Sequence, residues 1–166
     1  ALGGVTVDVP KDVPVPDPMT ADNISLKAGA SQQLDGSEAL VLARARKEYG
    51  ADQEALRQLN VRNIETAMIQ KVLSLDSEKS ANAVLIDLEE YTDTNLDMAS
   101  MGYLVIDFVA HREEVTVYST SGPYAGGENA EGLWVVREDP LTWGQLMAAV
   151  DAGEDPTGIV KVPTHS

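Results

Sequence analysis

RARKEYGADQEALRQLNVR, residues 44–62, holds four of the chain's six arginines (Arg44, Arg46, Arg57 and Arg62), with Lys47 among them. The rest of the protein is acidic. Its 27 Asp and Glu against 12 Lys and Arg give a net charge of −15 and a pI near 4.3. Such a chain repels anions in general. Arginines gathered in one stretch therefore point to a local anion site, because guanidinium forks suit phosphate and carboxylate oxygens. The competing reading is of solvated helix residues paired with Glu48 and Glu54.

Just upstream, Asp35 reads as a helix N-cap and Glu38, three residues on, completes a capping box. The spacing predicts a helix over 36–46, well buried through Ala39, Leu40, Val41, Leu42 and Ala43. Arg44, Arg46 and Lys47 suit its C-terminal end, where cations are favoured. Arg44 and Arg46 are two apart, so they diverge on a helix and point alike only in extended chain. If both serve one site, the helix must loosen between them, and Gly50 supports a break.

Downstream, a second helix is predicted from about 52 to 73. Leu56, Val61, Ile64, Ala67, Met68, Val72 and Leu75 share one broad face. Arg57 and Asn60 project into that same face, with Glu54 at its edge. Buried polar groups need partners, since an unpaired one costs several kcal/mol. A polar pocket would resolve the conflict. So would a surface Glu54–Arg57 pair at i,i+3, worth ~0.2–0.5 kcal/mol. Arg62 projects elsewhere on an ideal helix.

Toward the N-terminus, Val5, Val7 and Val9 alternate with Thr6 and Asp8 as a short strand that Pro10 ends. Four prolines between 10 and 18 make an extended loop, and residues 24–26 offer a second short strand before a turn at Gly29. Toward the C-terminus, 79–91 reads as a third helix and 92–96 as a turn. Residues 97–111 read as a fourth helix, apolar on several sides, whose Met98 and Met101 could be core filler or part of an adaptable groove. A strand at 115–118, a long Gly/Ser loop at 121–132, a returning strand at 133–136 and a last helix at 141–150 follow. In that helix Trp143 and Leu146 face inward. The tail from Gly153 reads as irregular. The class is α/β, a layered mixed β-sheet with packed helices, in one domain over 1–166.

Composition narrows the function. The acidic charge argues against nucleic acid and against anionic lipid headgroups. There is no cysteine, so disulfides and thiolate chemistry are excluded. His111 and His165 are too few and too scattered for zinc. No apolar run approaches the ~20 residues that cross a bilayer, and no signal peptide is visible. The opening Ala1-Leu2-Gly3-Gly4 reads as the inside of a domain. No glycine-rich phosphate loop and no G-x-S-x-G serine site is present. Glu89-Glu90 and Glu113-Glu114 look like solvated surface, and Gly126-Gly127 reads either as a turn or as a close approach to a ligand.

Three segments together resemble the LytR-CpsA-Psr family of cell-envelope proteins. LGGVTVDVP resembles its strand of the form LGGV-x-V-x-V-P. LKAGASQQLDGSEALVLARARK resembles its L-x-x-G-x-x-x-L-x-G-x-x-A-L-x-x-x-R-x-R region. EALRQLNVR is similar to D-x-x-R-x-x-N-Q-R: Glu54 stands for the Asp, Val61 for the Gln, and Arg57, Asn60 and Arg62 match. Weaker similarity runs through nearly all of the chain. The resemblance implies phosphotransferases that move a glycopolymer, such as teichoic acid or capsule, from a polyprenyl pyrophosphate carrier to peptidoglycan. They are anchored in the bacterial cytoplasmic membrane with the domain outside. An older name calls them transcriptional attenuators. The resemblance further implies magnesium as cofactor and an apolar tunnel between helices and sheet for the polyprenyl tail.

Carried onto this sequence, Arg44 and Arg46 grip the pyrophosphate and Arg57 adds a charge contact. Asn60 and Arg62 shape the pocket, and Glu54 orients an arginine or serves as a base. The family's domain begins before its LGGV strand, and that upstream half carries the acidic residues expected to hold magnesium. The chain is thus expected to be the C-terminal part of an incomplete domain, inactive alone, with no metal ligand of its own and contacts to the absent half. The alternative is a non-catalytic binding domain for polyprenyl phosphate or wall polymer, which the Glu54 and Val61 changes would fit.

Overall fold

A computed structural model of the chain describes residues 2–14, 24–74, 86 and 93–161. They fall into two compact units, Ala1–Val117 and Tyr118–Thr164.

The first unit opens with β1 (Val5–Val9), whose valines are buried and whose Thr6 and Asp8 face outward, as the alternation requires. It pairs antiparallel with β2 (Gly29–Leu34), Val5 opposite Leu34 and Val7 opposite Gln32. The second strand was expected at 24–26, before a turn at Gly29. Instead Leu26 makes a single bridge to Val13, and Gly29 begins the strand. The sequence GASQQL buries only Leu34, so it carries no apolar alternation to read. Polar bonds hold it to β1: Thr6 Oγ1 donates to Gln33 Oε1 at 2.9 Å, and the Ser31 amide donates to Asp8 Oδ1 at 2.7 Å.

Helix α1 (Gly36–Arg44) starts at the expected capping box. The Glu38 amide donates to Asp35 Oδ1 and the Asp35 amide to Glu38 Oε2, both at 2.9 Å. It ends two residues earlier than predicted. Ala45 is extended (φ −56°, ψ 126°), so the loosening falls between Arg44 and Arg46. A 3-10 helix (Lys47–Asp52) follows, and Gly50 within it takes φ 67°, a conformation open to glycine at little cost. Helix α2 (Gln53–Leu73) buries Leu56, Asn60 and Ile64. Met68, expected on the buried face, is exposed, and Leu75 lies outside the described residues. The core joins the β1 valines and Leu34 to Val41 and Leu42 of α1, Tyr49, and Leu56 and Ile64 of α2.

The helix predicted at 79–91 lies outside the described residues apart from Ile86, which is helical. Helix α3 (Met98–Ala110) is capped by Asp97, which accepts from the Ser100 amide at 2.8 Å. Only Val109 of it is buried, while Tyr103 and Leu104 are 75% and 60% exposed. Met98 is also exposed and Met101 half-buried, so neither fills the core.

In the second unit, β3 (Tyr124–Glu128) pairs antiparallel with β4 (Trp134–Glu138). This corrects two expectations. Residues 115–118 form no strand, and the Gly-rich segment read as loop supplies β3. Gly126 sits inside the strand opposite Val136, and the Trp134 indole covers it; a Cβ there would lie 2.7 Å from Trp134 Cζ2. The turn itself is made by Asn129, whose Oδ1 accepts from the amides of Glu131 and Leu133 at 3.0 and 2.9 Å. Helix α4 (Pro140–Asp151) starts at the Asp139 cap with Pro140 in its first turn. As expected, Leu146 is buried and Trp143 half-buried, its ring meeting Tyr124 edge-on at 5.9 Å. The class is α/β, as read from the sequence. Among the described residues the strands pair as two antiparallel, two-stranded sheets.

Candidate functional site

The break after α1 and the start of α2 bring three charged side chains together. Glu54 lies in the first turn of α2 and Arg57 one turn on, so their side chains meet. Arg57 closes a fork on the carboxylate, Nη2 to Oε1 at 2.6 Å and Nε to Oε2 at 3.1 Å. Arg46 reaches the same carboxylate from the connecting segment, Nε to Oε2 at 3.7 Å. Gln58 Nε2 donates to Oε1 at 3.1 Å. The Arg57 hydrogen bonds, helped by Gln58 and by the charges of both arginines, outweigh partial burial and hold the Glu54 carboxyl down at about 2, from an ordinary 4.5. The Arg57 guanidinium is correspondingly raised by its bond to Glu54. A base this weak takes up little proton at neutral pH, so the geometry suits Glu54 to orienting arginines.

The remaining sequence-predicted residues take different places. Arg44 is exposed in the last turn of α1. Asn60 points into the core, 2% exposed, and its Nδ2 donates to Tyr49 Oη at 2.8 Å. Arg62 is half-buried on another face of α2, where burial lowers its pKa and Glu65 acts against that. The structure thus gathers Arg46, Glu54 and Arg57, sets Asn60 in the core beside Tyr49, and puts Arg62 on another face of α2.

Two features were not read from periodicity or spacing, the second being implied only by the family resemblance. Tyr49 is buried as the partner of Asn60; an aromatic in an otherwise polar connection was the signal. The other is an open apolar groove of about 570 Å³, lined by Leu2, Val5, Ala39, Leu40, Ile64 and Met68 among others. Leu40 and Arg44 are four residues apart on α1 and so share a face. Ala43, the neighbour of Arg44, also lines the groove. The groove thus runs along α1 from Gly36 to Ala43 and meets α2 at Ile64 and Met68, and none of Arg44, Arg46, Glu54 and Arg57 lines it. Among the described residues no group of three or more His, Asp or Glu side chains could hold a metal ion. The described residues thus offer no such cluster for the magnesium that the resemblance implies.

The ion cluster sets an acid-range prediction. The folded pKa of Glu54 lies below its unfolded value, so its contribution to stability is fully present above about pH 4.5 and lost as pH falls toward 2. The carboxylate is half-exposed, so screening keeps that contribution small. A carbon-13 NMR titration of the Glu54 carboxyl is expected to show its midpoint near 2. A midpoint near 4.5 would mean that the fork does not persist in solution.

A model of the LytR_cpsA_psr family matches residues 1–146. Among solved structures, the chain is similar to B. subtilis TagV at 20% identity and a TM-score of 0.66, covering 91% of this chain and 56% of that one. It is similar to B. subtilis TagU at 18% identity and 0.58, covering 93% and 58%. It is also similar to protein gbs0355 from Streptococcus agalactiae at 18% identity and 0.63, covering 96% and 54%. At these identities the likeness establishes the fold alone, and the chain spans little more than half the length of each. No curated protein matches the chain.

Proposed function

The chain belongs to the LytR_cpsA_psr family, whose proteins are associated with the cell envelope, and from that premise we propose that it serves to move a cell-wall glycopolymer from a polyprenyl diphosphate carrier to peptidoglycan. The observation that carries this reading is an arginine cluster and an apolar groove on the same pair of helices, α1 and α2. A lipid diphosphate has the matching form, a doubly anionic head on a long apolar tail. Arg44, Arg46 and Arg57 would take the head, with Glu54 orienting Arg46 and Arg57. The groove along α1 and α2 would take the first part of the tail.

The proposed step is phosphoryl transfer. An acceptor hydroxyl on peptidoglycan forms a bond to the sugar-proximal phosphorus and loses its proton to solvent. The phosphoanhydride bond breaks, and polyprenyl monophosphate leaves with the bridging oxygen. Arginines stabilise the charge that builds on that oxygen and on the non-bridging ones. Magnesium is proposed as cofactor on ligands other than the described residues. No described helix is long and apolar enough to cross a membrane; placement outside the cytoplasmic membrane on an N-terminal anchor belongs to the same proposal.

The groove half of the reading is tested by Ala39→Trp, which puts an indole where the tail would lie. Losing ~100 Å² of apolar contact at ~25 cal/mol per Å² is worth ~2.5 kcal/mol. Affinity for a polyprenyl diphosphate should therefore fall at least about tenfold, while affinity for inorganic pyrophosphate stays within about twofold. Equal loss for both ligands would separate the groove from the tail.

A second reading, a binding domain without turnover, is favoured by the low basicity of Glu54. Mass spectrometry of a reaction with lipid-linked saccharide and peptidoglycan separates the two. Release of polyprenyl monophosphate supports the transferase, and saturable binding without release supports the binding domain.

A further inference from the structure

We infer that Tyr49 and Asn60 are positioning residues for the anion site, holding Arg46 in reach of Glu54 through a buried hydrogen bond, a role that rests on the diphosphate reading of that site. Asn60 is the buried polar side chain among the described core residues. An amide so placed is costly unless bonded. Its Nδ2 donates to Tyr49 Oη at 2.8 Å and reaches the Leu42 carbonyl only at 3.5 Å. Tyr49 is 5% exposed and packs within the core.

Between α1 and α2, Arg46, Lys47 and Gly50 are exposed and Glu48 half-buried, while Ala45 and Tyr49, on either side of Arg46, are buried in the core. The Tyr49 amide donates to the Arg46 carbonyl at 3.2 Å, and the Arg46 amide donates to Glu48 Oε2 at 3.1 Å. Ala45 thus holds the chain on the N-terminal side of Arg46, and Tyr49 holds it on the other. Glu54 and Arg57 share one helix, so their fork is independent of the connection. Arg46 approaches that carboxylate from outside α2.

This division makes the role testable. Tyr49→Phe keeps the ring and removes the hydroxyl. Calorimetry with inorganic pyrophosphate, on protein shown by circular dichroism to be folded, is expected to read a loss of about tenfold. Adding Arg46→Ala to Tyr49→Phe should lose little beyond Arg46→Ala alone, whereas Arg57→Ala should multiply with it. The pair Tyr49→Phe/Asn60→Leu removes donor and acceptor of this bond together and fills the site with apolar side chains. Its affinity should stay low, because packing is restored and the directional bond is not.

Affinity of Tyr49→Phe within about twofold of the parent, or full recovery in the pair, would overturn the positioning role. If the parent itself fails to bind pyrophosphate, the diphosphate reading falls. The positioning role is then still read by NMR. Tyr49→Phe should shift the Arg46 Nε–H resonance and leave that of Arg57 in place. An unmoved Arg46 signal would end the proposal.

Discussion

Replacing Arg44 and Arg46 together with alanine is expected to cut affinity for a polyprenyl diphosphate by about 10²–10⁴-fold, read by isothermal titration calorimetry. Each hydrogen bond to a charged group is worth ~1.5–3 kcal/mol. Two such losses sum to about 3–6 kcal/mol, and every ~1.4 kcal/mol is tenfold. The background makes the loss sharper, since a chain of net charge −15 offers an anion little attraction elsewhere. Both side chains lie on the surface, so the variant should fold as the parent does. Glu54 keeps its two-point bond to Arg57 when Arg46 is gone, which preserves that part of the site. Affinity within about threefold of the parent would remove these arginines from the site and leave the family fold with some other ligand.

How much of this was legible depended on whether a signal was local. The valine alternation at residues 5–9 and the Asp35–Glu38 capping box are each written within a few residues, and each stands in the structure. Strand β2 was not legible, because polar side chains bond it to a partner over twenty residues away. Strand β3 was hidden for a related reason. Gly126 carries no strand preference of its own; it pairs with Val136, and the Trp134 ring lies over it where a Cβ would clash. A glycine in this setting reads as a turn until its neighbours on the facing strand, here Val136 opposite and Trp134 over it, are known.

The site divided in the same way. Arg57 and Asn60 posed one conflict on paper, two polar groups on an apolar face. The structure answers them separately. Arg57 swings out to Glu54, three residues back, a partner visible in the spacing. Asn60 stays in the core with Tyr49, eleven residues back across a helix break, a partner that no periodicity can show. The groove was less legible still, since it joins the start of β1 to faces of α1 and α2. The exposed Leu40 and Met68 that line it were read as core.

Leu42→Ala should produce the largest change in stability. Leu42 is 1% exposed, among the most enclosed side chains described, and packs in the core with Val9, Val41 and Tyr49. Truncating a buried leucine costs the transfer of its methyl groups and the cavity left behind, together about 2–5 kcal/mol. At roughly 2–4 °C per kcal/mol for a chain of this size, the melting temperature should drop by about 4–20 °C in a calorimetric scan. Leu40→Ala is the control, because that side chain is 45% exposed and borders the open groove; its change should stay under about 1 kcal/mol. The comparison also bears on function. Leu42 anchors the helix that carries Arg44 at its end, and its carbonyl lies beside Asn60. Loss of stability in Leu42→Ala with binding retained by the folded fraction would separate the scaffold from the grip. A Leu42 effect as small as that of Leu40 would mean that α1 is not seated in the core as described, and the groove along it would lose its wall.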